Sequence, residues 1–339
     1  MGRLARITVA LLSALGILIA ASGSATAAVR PYREIDLGST GGPRAASDAV
    51  AINDYGSAVG VSQTPDGPHG TLWRADGTKV DLGREPLPVD IDNQGDIALA
   101  GSYGVVLHAD GSRPTTYGNG LLPYRMNNAG QLILRRPDAS SPSGFRYYLG
   151  TTNAEYGVFG FPANWVMSDL NDQGQVVGTK IGRNTTYGVV WQQGAGMTRN
   201  FGPATGAALI NNHGHVVMSE RIFCGDPCPG GYDTTHYLAA NGTRTVVGGV
   251  DDNPRAMNEK DQVVGSEGTL DASYRAWVWS KGARTVLHAC DGGCESPIAS
   301  DINERGTIVG QGSLSLVRSS VPGDPLDVLR ALLWTTASR

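Results

Sequence analysis

A short phrase, apolar–Asn–x–x–Gly, recurs seven times along this 339-residue chain, and each copy is followed by a second apolar run. The copies begin with Ile52-Asn53-Asp54-Tyr55-Gly56, Ile91-Asp92-Asn93-Gln94-Gly95 and Met126-Asn127-Asn128-Ala129-Gly130. They continue as Leu170-Asn171-Asp172-Gln173-Gly174, Ile210-Asn211-Asn212-His213-Gly214, Met257-Asn258-Glu259-Lys260-Asp261 and Ile302-Asn303-Glu304-Arg305-Gly306. Asp92 takes the Asn position in the second copy, and Asp261 takes the Gly position in the sixth. Successive Asn-equivalent positions lie 39, 35, 44, 40, 47 and 45 residues apart. Such a period belongs to repeat architectures, in which one unit cannot bury its apolar face alone and stacks on its neighbour.

The fuller copies contain four short β-patterned runs. In the first, Ala49–Ile52 leads into the Asn-Gly turn and Ala58–Val61 leaves it; Gly70–Trp73, the turn Ala75-Asp76-Gly77-Thr78 and Val80–Gly83 follow. Runs of this length, rich in Val, Ile and aromatics and bounded by Gly, Asn and Asp, read as strands. Asp76-Gly77 and Asn241-Gly242 are hairpin signals, because these residues tolerate the positive φ such turns require. Four antiparallel strands in about 40 residues is the size of one β-propeller blade.

The chain ends decide between a closed ring and an open solenoid. The seventh copy supplies Ile302-Asn303, Ile308–Gly310 and Leu332–Trp334, and then lacks a fourth strand. Glu34-Ile35-Asp36-Leu37-Gly38, at the opposite end of the sequence, matches Val80-Asp81-Leu82-Gly83. Pairing it into the last blade closes the ring and leaves no long unpaired edge. The expectation is an all-β chain with one domain over residues 29–339, a seven-bladed propeller closed by its N-terminal strand.

The series Leu-Gly, then Ile-Asn-x-x-Gly-x-x-Val-Gly, then a strand ending in Trp resembles the bacterial extracellular HAF-repeat family. The resemblance spans nearly all of residues 29–339. It departs at the His-Ala-Phe triplet, where this chain reads His69-Gly70-Thr71, Tyr187-Gly188-Val189 and Arg275-Ala276-Trp277. The resemblance implies a secreted, propeller-like protein and carries over no reaction.

Residues 1–28 read as a secretory signal peptide: Arg3 and Arg6, an apolar run from Ile7 to Ala21, and the cleavage pattern Ala25-Thr26-Ala27. The expected location is extracellular, with no membrane span after cleavage. The formal charge of −4 becomes −6 once those two arginines are removed. That mild acidity argues against nucleic acid as a partner, since phosphate binding requires clustered Lys and Arg. The cysteines fall in two close pairs, Cys224/Cys228 and Cys290/Cys294. In an exported chain an even count points to disulfides, with local pairing expected among the three possible connectivities. A four-thiolate zinc site is the rival, but the C-x₂-C spacing is absent.

No Walker loop, H-E-x-x-H or G-x-S-x-G elbow is present, and neither a cofactor nor a metal site is expected. The recurring Asn and Gly read as turn formers, and Trp73, Trp191, Trp279 and Trp334 as packing between blades. His213-Gly-His215 reads as an exposed turn for want of a third ligand. Trp165 and Trp277 lie outside the tryptophan register and are the aromatics expected at the surface. The second-to-third connections and the inter-blade links vary most: Ser219–Asp233, Leu287–Ala299, Ser313–Pro325 and Thr151–Trp165. Rigid scaffolds place function on such loops. Candidate ligand contacts are therefore Trp165, Trp277, Asp226 and Tyr232. The expected function is a monomeric, non-catalytic binding module for a polysaccharide or an extracellular protein on that face. The alternative is an exported glycan-cleaving hydrolase or lyase, which would need unique carboxylates converging at the ring's centre.

Overall fold

The computed structural model describes residues 32–222, 232–249, 251–268, 274–287, 294–315 and 327–336. In chain order the first strand is β1 (Tyr32–Asp36), and blade 1 holds β2 (Ser47–Ile52), β3 (Ala58–Thr64), β4 (Gly67–Trp73) and β5 (Lys79–Gly83). Blade 2 is β6 (Leu87–Ile91), β7 (Ile97–Ala100), β8 (Gly104–Leu107) and β9 (Thr115–Tyr117); blade 3 is β10 (Leu122–Met126), β11 (Gln131–Pro137), β12 (Phe145–Thr151) and β13 (Ala154–Gly160). Blade 4 is β14 (Trp165–Leu170), β15 (Gln175–Ile181), β16 (Thr186–Gln192) and β17 (Gly196–Pro203). Blade 5 is β18 (Thr205–Ile210), β19 (Val216–Ile222), β20 (Tyr232–Leu238) and β21 (Arg244–Gly248). Blade 6 is β22 (Asp252–Met257), β23 (Val263–Gly268), β24 (Tyr274–Ser280) and β25 (Ala283–Val286), and β26 (Cys294–Ile302), β27 (Ile308–Ser315) and β28 (Asp327–Thr336) follow.

These strands form seven four-stranded antiparallel sheets, six of them in sequence order. The seventh runs β1-β28-β27-β26, with Glu34 opposite Trp334 and Asp36 opposite Leu332. The N-terminal strand therefore closes the ring, as the split of the last repeat requires. The chain is a seven-bladed β-propeller. Among the described residues no helix is long and apolar enough to cross a membrane.

The core is distributed between blades. Trp73 packs with Val309 and Ala331 of blade 7, Trp191 with Ile133 and Leu149 of blade 3, Trp279 with Leu209 and Val217 of blade 5, and Trp334 with Val264 and Ala276 of blade 6. Each strand-three Trp thus seals its blade against the preceding one. A buried aromatic of this size supplies the large apolar contact area a small sheet otherwise lacks.

The repeated Asn does more than turn the chain. Asn53 Oδ1 accepts from the backbone N–H groups of Tyr55 and Ser57 at 3.1 and 3.0 Å, and its Nδ2 donates to the Asp92 carbonyl of blade 2 at 3.1 Å. Gly56 completes the turn at φ +86°, a region that a Cβ makes costly. Asn127, Asn171, Asn258 and Asn303 likewise donate to the carbonyls of Asn171, Asn211, Asn303 and Asn53 at 2.7–3.0 Å, and Asn211 reaches Asn258 at 3.4 Å. Asp92 is the exception: an ionised carboxylate has no proton to donate.

Four of the blades also carry Gly in the second strand, as in Val59-Gly60. A Cβ on Gly60 would lie 2.0 Å from the Asp48 carbonyl oxygen of the paired strand, so no other residue fits that approach.

Three expectations about loops change. Thr151–Trp165 is not a long connection, because Ala154–Gly160 forms β13, the outer strand of blade 3. Its two glycines and interrupted apolar pattern mask a strand that needs only one partner. Ser219–Asp233 and Leu287–Ala299 are also shorter as loops, since β19, β20 and β26 extend into them. Cys224, Cys228, Cys290 and the Cys294 side chain lie outside the described residues, as does the disulfide pairing.

Candidate functional site

Every first strand breaks step with its neighbour at the same place. The pairing slips between Ala49/Ala51, Pro88/Asp90, Pro123/Arg125, Met167/Asp169, Ala207/Leu209, Pro254/Ala256 and Ala299/Asp301. Such a β-bulge re-aims the side chains around it. The residue just after the bulge, two before the Asn position, lines a central cavity of about 430 Å³ in all seven blades. That volume lies within the roughly 300–1,000 Å³ of small-molecule sites.

Four of those seven positions are charged: Asp90, Arg125, Asp169 and Asp301. Each carboxylate spans a blade junction. Asp301 accepts from the N–H of Ile302 in its own strand and of Ile52 in blade 1, both at 2.8 Å. Asp90 accepts from Ile91 at 2.9 Å and from Met126 of blade 3 at 2.8 Å, and Asp169 accepts from Ile210 of blade 5 at 3.0 Å. Burial pushes Asp301 up to about 7, with the Asp90 charge adding to it. Burial likewise pushes Asp169 up to about 6, against the opposing pull of the Ile210 N–H and of Arg125, and it raises Asp90 as well.

Arg125 stands among these acids with a nearly unused donor fork. Its Nη1 donates to the Tyr124 carbonyl at 3.4 Å and its guanidinium lies 5.1 Å from the Tyr124 ring centre; among the described residues it holds no carboxylate within ion-pair distance. Five N–H groups on one planar cation are a strong recognition element when left without internal partners.

The rim above the cavity is a second ring. The residue after each Asn position offers a side-chain oxygen to the backbone N–H of its counterpart in the preceding blade. The bonds run Asp54 to Asn93, Asn93 to Asn128, Asn128 to Asp172, Asp172 to Asn212, Asn212 to Glu259, Glu259 to Glu304 and Glu304 to Asp54, at 2.7–3.0 Å. Unlike the Asn ring, this circuit is complete. Four of its members are acids. Burial raises Glu259 and Glu304 above the ordinary carboxylate range, helped by neighbouring negative charge.

The cavity sits at the end of the first strands that leads into the Asn-Gly turns, opposite the face expected to bind. Of the expected contacts, Trp277 is fully buried and must be corrected: it packs with Trp279, Tyr237 and Val263 at the junction of blades 5 and 6. Gly265 makes room for it, since a Cβ there would lie 2.7 Å from Trp277 Cζ2. Trp165 is half-buried, stacked on Phe161 at 6.4 Å, and belongs to the core between blades 3 and 4. Asp226 and the Tyr232 side chain lie outside the described residues. The sequence reading missed Asp90, Arg125, Asp169 and Asp301 altogether. Aligning the repeats on their Asn exposes them as charges in a column otherwise filled by Ala51, Leu209 and Ala256.

The fold and the polar central cavity place the chain among β-propellers. No protein-family model matches it, and no curated protein sequence matches it. Two of the solved structures that are similar in fold come from Pyrococcus. The β-propeller domain of the Trilobed protease from Pyrococcus furiosus superposes with a TM-score of 0.57 at 10% identity, over 85% of this chain and 93% of that one. The Pyrococcus horikoshii acylaminoacyl peptidase gives 0.55 at 12% identity, over 82% of this chain and 50% of that one, so this chain spans about half the length of that peptidase. The first is described as having an open velcro topology, whereas β1 closes the ring here. At these identities the likeness establishes the fold alone.

Proposed function

We propose that the chain is a secreted, non-catalytic binding module of the HAF-repeat type, and that its central cavity holds a hydroxyl-rich unit of an extracellular glycan. The Arg125 fork carries this reading. It lines a cavity shared with Asp90, Asp169 and Asp301, so strong donors and strong acceptors face the same space. A sugar hydroxyl is donor and acceptor at once, and a cavity offering both kinds of partner satisfies it where a purely acidic one would not. The carboxylates keep spare lone pairs after accepting their backbone N–H groups.

The test is retention of the protein on cell-wall fractions and a polysaccharide panel, with product analysis of the same samples. Arg125→Met is expected to lower retention about tenfold, which corresponds to roughly 1.4 kcal/mol. Unchanged retention by Arg125→Met, in a protein of wild-type thermal midpoint, sinks the assignment to this cavity.

A second reading draws on Asp169 and Asp301. Carboxyls raised to about 6 and 7 are partly protonated at neutral pH, as a general acid must be. Paired carboxyls are the machinery of glycoside hydrolysis. Released fragments that vanish in Asp301→Asn would make the protein a glycan-cleaving enzyme instead of a binding module.

A further inference from the structure

Blades 5 and 6 meet differently from every other pair. Only the blade 5 turn carries histidine, at His213 and His215 on either side of its glycine. Only the blade 6 turn puts a side chain on the positive-φ position: Asp261 sits at φ 59°, where the other six blades hold glycine at φ 72–89°. Left-handed backbone disfavours a Cβ, so six glycines are the expected solution and the aspartate is not.

The two departures come together across the junction. His215 Nδ1 lies 2.7 Å from Asp261 Oδ1, and Asn211 Nδ2 donates to the same oxygen at 2.9 Å. The Tyr237 hydroxyl lies 2.7 Å from His215 Nδ1. The rings of His213 and His215 have centres 5.6 Å apart. One ligand atom from each of His213, His215 and Asp261 can be chosen so that all three lie within 4.8 Å of one another.

A purely structural account explains part of this. In blades 3, 4 and 6 the Asn amide also donates to a Gln oxygen four residues on, in Gln131, Gln175 and Gln262. Blade 5 has His215 at that place, and Asp261 supplies the missing acceptor. Hydrogen bonding of the Asn thus accounts for one oxygen of Asp261. It gives no role to His213, whose side chain is 58% exposed.

We propose that His213, His215 and Asp261 form a binding site for a divalent transition-metal ion of the zinc class, bridging blades 5 and 6. Two imidazoles and a carboxylate are the donor set such ions take, and three protein ligands leave a coordination position for water or for a donor on a bound molecule. Asn211 donates to the Asp261 oxygen that faces His215 and so orients the carboxylate, as a partner outside the coordination sphere commonly does. The His213 ring lies beside that of His215 and is more than half exposed, so a ligand approaching from solvent meets it first. The surroundings favour a cation: Glu259 Oε2 lies 3.4 Å from His213 Nδ1, and Asp172 and Glu304 are close enough to act on Glu259 electrostatically. The histidine pair, read from sequence as an exposed turn, gains its third ligand from a residue 46 positions beyond His215.

The experiment titrates tag-free protein, shown by thiol assay to have no free cysteine, with Zn²⁺ by calorimetry and with Co²⁺ by visible absorption. Two variants accompany it. His213→Ala removes one ligand at the surface, and the double variant H215Q/D261G installs the residues that blades 3 and 4 use, so its turn keeps a side chain set the fold already tolerates. The expected result is one equivalent of Zn²⁺ on the wild type, a Co²⁺ ligand-field band, and affinity at least tenfold weaker in both variants. Zn²⁺ should also raise the thermal midpoint of the wild type and not that of the double variant. No binding to the wild type overturns the proposal, as does wild-type affinity in either variant.

Discussion

The junction between blades 4 and 5 and the junction between blades 2 and 3 are built on the same turn but are stitched differently. At the first, Asn171 Nδ2 donates to the Asn211 carbonyl at 2.9 Å, Gln173 Nε2 to the Asn212 carbonyl at 2.6 Å, and the Asp172 N–H to Asn212 Oδ1 at 2.7 Å. At the second, Gln94 Nε2 reaches the Asn128 carbonyl at 3.0 Å and the Asn93 N–H reaches Asn128 Oδ1 at 2.8 Å. The innermost stitch is the one that differs, because Asp92 stands where Asn171 would. One oxygen in place of one nitrogen turns a donor aimed at a carbonyl into a second acceptor. Burial pushes Asp92 up to about 6, and the neighbouring Asp96 charge pushes the same way. The comparison teaches that the turn needs only the side-chain oxygen, while the nitrogen is what ties one blade to the next. Asp92 Oδ1 still accepts the Asp96 N–H at 2.9 Å and makes the same bend.

Four substitutions sharpen or break that comparison. Asn171→Ala should do most damage, because it strips the acceptor from the N–H groups of Gln173 and Gln175 and the donor from Asn211. We expect a loss of about 2–4 kcal/mol in urea denaturation. Asn171→Asp keeps the acceptor and loses only the donor; about 1–3 kcal/mol should be lost at pH 8, with most of it recovered near pH 4. A loss as large as that of Asn171→Ala would mean the inter-blade stitch outweighs the turn itself.

Asp92→Asn is the reverse experiment, and should raise stability by about 0.5–1.5 kcal/mol at pH 8. Its pH dependence follows from the raised folded-state value. The wild-type contribution of Asp92 is fully present below the ordinary carboxylate range and is lost as pH rises through about 6. The gap between variant and wild type should therefore open between about pH 4 and pH 7. A gap of constant size across that window would remove Asp92 as its cause. Gln94→Ala should matter least, at about 0.5 kcal/mol or below, because its bond to Asn128 is exposed to water.

The sequence makes the ring legible because blade number and closure are written in local signals. Turn residues mark each hairpin, and Glu34–Gly38 repeats the wording of Val80–Gly83. The tether from each Asn is not legible in that way. Its carbonyl partner lies a whole repeat away, and nothing beside Asn53 points to Asp92. The bulge is equally silent, since the residue it displaces is Val50 in one blade and Tyr124 or Arg255 in others, with no common chemistry. Arg125 and Asp301 become visible only when the repeats are stacked in columns. Trp277 was within reach of a simpler rule. It stands two residues before Trp279, and in a strand that spacing puts both rings on one face, toward the same junction.

The closing strand has a consequence for time as well as shape. Glu34 and Trp334 face each other across the whole length of the chain, 300 positions apart in sequence. The segment that leaves the ribosome first among the blades cannot take its place until β28, the last strand of the ring in chain order, has been made. Until then blade 7 exists only in part, and the cost of joining such distant ends falls on the final step. Synthesis thus produces an unfastened arc, which becomes a ring only when β28 is available to pair with β1.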